Sequence, residues 1–209
     1  MTSPTATPDI EQVLKHNRSK WKRHVRERIA VSLGLIAVPV VLHAVGVPDA
    51  FFTPLPILAA FFVLLFLLLR ASRGRRLAAC ERVLRTYPLE YRTRVAKKGQ
   101  QWLLQGTVFT VKVSTRGQHG APLMRALDAS TVRRWPKGAE DGGAWVAGDL
   151  PFGGVMIVPG TNDMLFMQPA DWAKFADERE QADASRSALA QQAGLIELVE
   201  KEPNITYFY

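Results

Sequence analysis

What this chain lacks narrows its function before any motif is sought. It has one cysteine, Cys80, in 209 residues, so no internal disulfide can form, which suits a reducing compartment. The four histidines are scattered, and no Cys or His pair has the spacing of a structural zinc site. There is no Walker A sequence, no Gly-x-Gly-x-x-Gly, no Gly-x-Ser-x-Gly elbow and no calcium loop. His119 has Ser114 nearby and Asp141 and Asp149 further along, but nothing fixes a base to a nucleophile. Cys80 falls on an amphipathic helix and reads as packing rather than as a nucleophile; its place near the membrane leaves palmitoylation open, with nothing specific to support it. The chain is therefore expected to be no enzyme, with no catalytic residue, metal or cofactor.

The most informative absence is that of charge from two long runs. Ile29–Val47 and Phe51–Leu69 hold 19 residues each without one Asp, Glu, Lys or Arg. At about 1.5 Å per residue each run makes roughly 28 Å of helix, close to the 30 Å or so of a hydrocarbon core. Only a short segment around Pro48 and Asp49 separates them, so the expectation is a membrane hairpin that crosses, turns and returns. A cleaved signal peptide fits poorly. The basic leader is long, a second apolar run follows at once, and Val47-Pro48-Asp49-Ala50 is a poor cleavage site.

What is present supports the same reading. The formal net charge is +8. Residues 1–28 carry seven Lys or Arg against three acids, and residues 70–76 carry four Arg against none. The other segments nearly balance, so the excess flanks the apolar runs. Lys/Arg bias beside membrane helices marks the cytoplasmic side, which places both termini inside a plasma (inner) membrane. Trp21, Lys22, Arg23, Arg26, Arg28, Arg70, Arg73, Arg75 and Arg76 are the expected membrane-interface residues, with anionic headgroups as partners. A nucleic-acid partner is not expected, because its basic patch should sit on the folded domain among aromatics.

Residues 1–8 are polar and proline-rich and are expected to be disordered. Thr7 or Asp9 caps a helix over 9–28 with Ile10, Val13, Leu14, Trp21 and Val25 on one arc. That helix is read as a basic amphipathic juxtamembrane segment, apolar side on the bilayer, rather than a solvated extension of the first span. Ala30, Gly34 and Ala37 form a small-residue face on which a helix, from this chain or another copy, can pack closely. His43, the one titratable group in either run, lies near a run's end where a neutral imidazole reaches water. Two helices apolar on every face cannot enclose a pore alone.

Beyond the basic linker 70–76 and a short helix from Leu77 to Thr86, the apolar period changes from 3.6 to 2. Strands are expected near Tyr91–Ala96, Thr107–Ser114, Leu123–Ala129, Ala144–Ala147, Val155–Val158 and Leu165–Gln168, with turns at Lys98-Gly99 and the later glycines. The predicted fold is a membrane α-helical hairpin plus a small α+β cytoplasmic domain. Its sheet is an antiparallel barrel or curled sheet of about six strands with flanking helices. The β-rich domain spans 77–180, and a fragment starting at Leu77 is expected to fold. Helices at Ala170–Glu180 and Ala184–Val199 follow, the second with a break offered at Gly194. The tail then ends in Tyr207, Phe208 and Tyr209, aromatics that would be costly to leave in water and are read as partner-binding.

The stretch Gly148-Asp149-Leu150-Pro151-Phe152-Gly153-Gly154-Val155 resembles a Gly-Asp-x-x-Phe-Gly-Gly-Val segment of uncharacterised actinobacterial membrane proteins with a small β-rich domain. The resemblance covers roughly residues 75–170 and implies no activity and no catalytic residue. Physically it reads as strand, tight turn, strand, with glycines at positive φ. The expected function is that of a two-pass, non-enzymatic membrane protein. It would anchor a cytoplasmic interaction domain at the membrane as a scaffold or accessory subunit, with a homo-oligomer possible. A membrane-tethered sensor for a lipid headgroup or small ligand is the alternative, and a membrane enzyme the third.

Overall fold

The structure, a computed structural model, describes residues 6–46, 54–69, 72–103, 106–114, 121–129, 134–136, 139 and 143–196. Among these, three helices come first: α1 (Ile10–Ala44), α2 (Pro54–Leu69) and α3 (Ser72–Thr86). Seven strands follow: β1 (Glu90–Arg92), β2 (Arg94–Leu103), β3 (Gly106–Ser114), β4 (Leu123–Asp128), β5 (Ala144–Asp149), β6 (Gly153–Ile157) and β7 (Met164–Pro169). A 3-10 turn at Ala173–Phe175 leads into α4 (Ala176–Glu180) and α5 (Ala184–Gln192).

Asp9 starts α1, its carboxylate accepting from the Glu11 N–H at 2.9 Å. From there the helix runs unbroken for 35 residues, about 52 Å. Where a juxtamembrane helix and a separate span were expected, one rod joins the two, for no glycine or proline interrupts residues 10–33. α2 packs on α1, and α3 lies along the first half of α1. The run of α3 is antiparallel to α1, as Arg85 pairs with Glu11 at 2.9 Å while Arg18, further along, pairs with Glu81. Arg18 first, then Arg85, holds the Glu81 carboxyl below its usual range.

The sheet is wholly antiparallel in the order β1-β5-β6-β7-β4-β3-β2. Its two edge strands, β1 and β2, are separated in the chain by Thr93 alone. Laid flat, seven strands would hold their edges about 29 Å apart at about 4.8 Å per gap. One residue cannot span that distance. The sheet must therefore curl until the start of β2 lies beside the end of β1, though the two do not pair, and the curled antiparallel sheet is the one the strand pattern led one to expect.

The strand expected at Tyr91–Ala96 is in fact two strands, and the second continues to Leu103. Lys98-Gly99, expected to be a turn, is a β-bulge, where the register with β3 shifts between Lys97 and Gly99. A polar, lysine-bearing, bulged strand is how an exposed sheet edge is kept from pairing with other chains.

Curling gives the sheet an inner and an outer face, each with its own apolar cluster. Phe109, Val111 and Val113 of β3, Met124 and Ala126 of β4, Val146, Met156, Leu165 and Met167 fill the inside. Trp135 closes against Phe109, ring centroids 5.1 Å apart. The outer cluster joins Ala147, Val155, Ile157, Met164 and Phe166 to Leu77, Ala79, Cys80, Val83 and Leu84 of α3 and Ala190 of α5. Val13 and Leu14 of α1 belong to it and are fully buried. β6 and β7 are thus covered on both faces, which explains their unbroken apolar sequence.

Candidate functional site: an exposed apolar arm and its basic collar

The first three turns of α1 are built into the domain. Asn17 is fully buried. Its Nδ2 donates to the Val13 carbonyl at 2.8 Å and to the Asn162 carbonyl at 2.7 Å, and its Oδ1 accepts from the Met164 N–H at 3.4 Å. One turn on, Lys20 pairs with Asp163 at 2.6 Å. These contacts fasten α1 to the β6–β7 turn. Ile10, Val13 and Leu14, expected on a bilayer, lie instead against the sheet and α3. Trp21 follows them. It sits half-buried over Gly74 of α3, where a Cβ would come within 3.5 Å of its ring.

Beyond Arg28 the character of α1 changes. Ile29, Val31, Leu33, Ile36, Val38, Val41 and Val45 are exposed, as are Ile57, Leu58, Phe61, Phe62, Leu64 and Leu65 of α2. Val45 reaches 73 % and Leu33 62 %. Because α1 and α2 pack on each other, these side chains form the outside of a helical pair projecting from the domain. Soluble surfaces rarely leave so much contiguous apolar area in water; such area marks contact with a membrane or a protein. Among the described residues, no helix is long and apolar enough to cross a membrane.

At the foot of the arm sits a collar of cations. Lys22, Arg23, Arg26 and Arg75 are exposed, with Arg23 paired to Glu27 at 2.9 Å, and Arg28 is half-buried and engaged. Arg76 is not part of this surface. It is 3 % exposed because the register of α3 turns it inward, and its charge is felt at Cys80 along with that of Asp128. Arg70 and the Arg73 side chain lie outside the described residues, as do residues 1–5, the His43 side chain, His119 and Tyr207, Phe208 and Tyr209.

Ala30, Gly34 and Ala37 are exposed, and a Cβ added at Gly34 would meet nothing within 4 Å. The small-residue face therefore points away from α2 and is not what joins the two helices. Burial pushes the Cys80 thiol up to about 12, with Asp128 acting in the same direction and Arg76 against it. The thiol is protonated and covered, which suits packing. Among the described residues, no group of His, Cys, Asp or Glu could hold a metal ion.

The Gly148–Val155 segment forms the β5–β6 hairpin, closed by the Phe152 N–H donating to the Asp149 carbonyl at 2.8 Å. Gly148 and Gly153 have φ of 126° and 121°, and a Cβ on either would come within 2.7 Å of backbone. The Asp149 carboxylate receives both Nε and Nη2 of Arg186 on α5, at 3.0 and 2.9 Å. The motif thus shapes a turn and docks a helix. Neither this pair nor the Asn17 clamp was foreseen from the sequence, since Asn17 and Asn162 are 145 residues apart and carry no shared pattern.

No family model, no curated protein and no solved structure matches this chain.

Proposed function

We propose that the protein is a two-pass, non-enzymatic membrane anchor that holds a cytoplasmic β-rich interaction domain against the bilayer, as a scaffold or accessory subunit of a membrane assembly. One observation carries this reading: a helical pair whose large apolar side chains are exposed, footed by Lys22, Arg26 and Arg75. The charge-free runs extend beyond the described helical bounds, to Val47 at the end of the first and back to Phe51 at the start of the second. Burying this surface in lipid removes about 25 cal/mol per Å² of apolar area from water. The collar would meet anionic headgroups, with both termini on the cytoplasmic side. The aromatic tail Tyr207–Tyr209 would contribute a partner contact.

Membrane fractions of expressing cells should retain the protein through alkaline carbonate and high salt. Release by either would overturn the spanning reading. An alkaline phosphatase fused at the C-terminus should be inactive, and an active fusion would reverse the topology.

A further inference from the structure

Among the described residues, the outer face of the sheet is only partly covered. α3 lies across β5, β6 and β7, and α5 rests on β5. On β2, β3 and β4 the outward positions are mainly of another kind: Arg94 and Ala96, then Thr110, Lys112 and Ser114, then Leu123 and Arg125. Arg94, Ala96, Lys112 and Leu123 are exposed. The register sets Lys112 opposite both Ala96 and Leu123, with Arg94 two residues before Ala96 and Arg125 two beyond Leu123. Arg94, Lys112 and Arg125 therefore fall on one diagonal across three strands, at steps of roughly 7–8 Å. Arg125 is half-buried and already engaged, while Lys98, exposed at the bulge, adds a further cation beside the line. No Asp or Glu occupies an outward position on these three strands.

We propose that this face binds an extended acidic segment of another protein. The inference rests on the interaction-domain reading above and names the chemistry of the partner. Charge complementarity is the first argument: a cationic diagonal without acids, flanked by the hydroxyls of Thr110 and Ser114 and the apolar Ala96 and Leu123. Spacing is the second. An extended chain repeats its side chains on one side about every 6.6–6.8 Å, close to the diagonal step.

Two other polyanions fit less well. Lipid headgroups meet the collar, at the end of the sheet where Asn17 and Lys20 hold the β6–β7 turn. Lys112 and Arg94 lie toward the opposite end, in register with the side of the β5–β6 turn. Single-stranded nucleic acid needs aromatic platforms, and no outward position named here is aromatic.

The full chain in detergent micelles is titrated with a fluorescent peptide of alternating Glu and Ser, and separately with an oligodeoxythymidylate. The peptide should bind with an affinity that falls as salt rises, and Arg94→Glu with Lys112→Glu should weaken it about tenfold or more. The collar variant Lys22→Glu with Arg26→Glu changes net charge equally and should bind the peptide as the unaltered chain does. Should the double variant fail to fold, Lys112→Gln, at an exposed position, should still weaken binding measurably. Equal peptide affinity in the face variant and the unaltered chain would overturn the proposal. So would an equal loss in the collar variant, or tighter binding of the oligonucleotide through the same residues. Carbonate extraction of the face variant should be unchanged, so peptide binding and anchoring fail separately.

Discussion

Two buried side chains set the sharpest expectations at the scale of single residues. Asn17→Ala removes the donor to the Asn162 carbonyl and the acceptor for the Met164 N–H, both in the seam between α1 and the sheet. Leaving such groups unpaired costs about 1–3 kcal/mol, read as a lower melting temperature of the detergent-solubilised protein. An unchanged melting temperature would show that the seam contributes little. Cys80 gives the pH dependence. Its thiol is pushed up to about 12 from an ordinary 9.0, and the Tyr87 hydroxyl, buried and near Asp149, to about 12 from 10.0. In both cases the folded state holds the proton more tightly than the unfolded chain. The stability they confer is present below about pH 9 and declines as pH rises toward 12. Urea unfolding between neutral pH and about pH 10 should show this decline, and Cys80→Ala should make it shallower. The same thiol should resist alkylation in the native protein and react once denaturant is added. Legibility at this scale followed distance in the chain. The burial of Cys80 could be read from its helical neighbours, whereas the turning-in of Arg76 could not, since it depends on what α3 packs against.

Among the elements, apolar period was a dependable guide where one face is buried and misled where none is. β3 alternates as expected, with Phe109, Val111 and Val113 inside and Lys112 outside. β2 was half missed because Lys97 to Gln101 is polar throughout; an edge strand owes its conformation to hydrogen bonds with β3 and not to a hydrophobic pattern. The segment Ala170–Glu180 became a 3-10 turn followed by the short α4, held where Arg179 stacks at 3.6 Å on Trp172. The second helix breaks after Gln192, at the Gly194 the sequence offered as its interruption, which takes a φ of 70°, and Leu195 and Ile196 are helical again. The largest revision concerns α1. A fragment beginning at Leu77 leaves the pocket of Val13 and Leu14 open on the outer cluster. Burying each such side chain is worth about 1.5–3 kcal/mol. The fragment 77–209 should therefore melt well below a version in which residues 6–28 are joined to it by a flexible linker, with circular dichroism as the readout. Equal melting would mean that the first turns of α1 are dispensable to the domain.

For the molecule as a whole, the sequence announced the apolar arm through its two charge-free runs and the curled sheet through its short strands and glycine turns. It did not announce how they connect, because a basic amphipathic helix looks alike whether its apolar side meets lipid or protein. Burial of Val13 and Leu14 decides for protein. On the proposed anchoring, substituting Lys22, Arg26 and Arg75 together by Gln should lower the fraction of chains in the expected topology while leaving the melting of the β domain unchanged. Protease protection in sealed vesicles would measure the first, and a topology indifferent to all three would remove the collar from the account. The unbroken course of α1 has a mechanical consequence. An arm and a domain joined by a flexible tether can reorient independently, but here they share one rod. If the arm leans further to match a thinner bilayer, the domain must swing with it. On the proposed anchoring, a lean of about 10° would displace the far end of the roughly 28 Å stretch before Arg28 sideways by about 5 Å. On that anchoring, the rod would therefore act as a lever pivoting near Arg28, with bilayer thickness as its input.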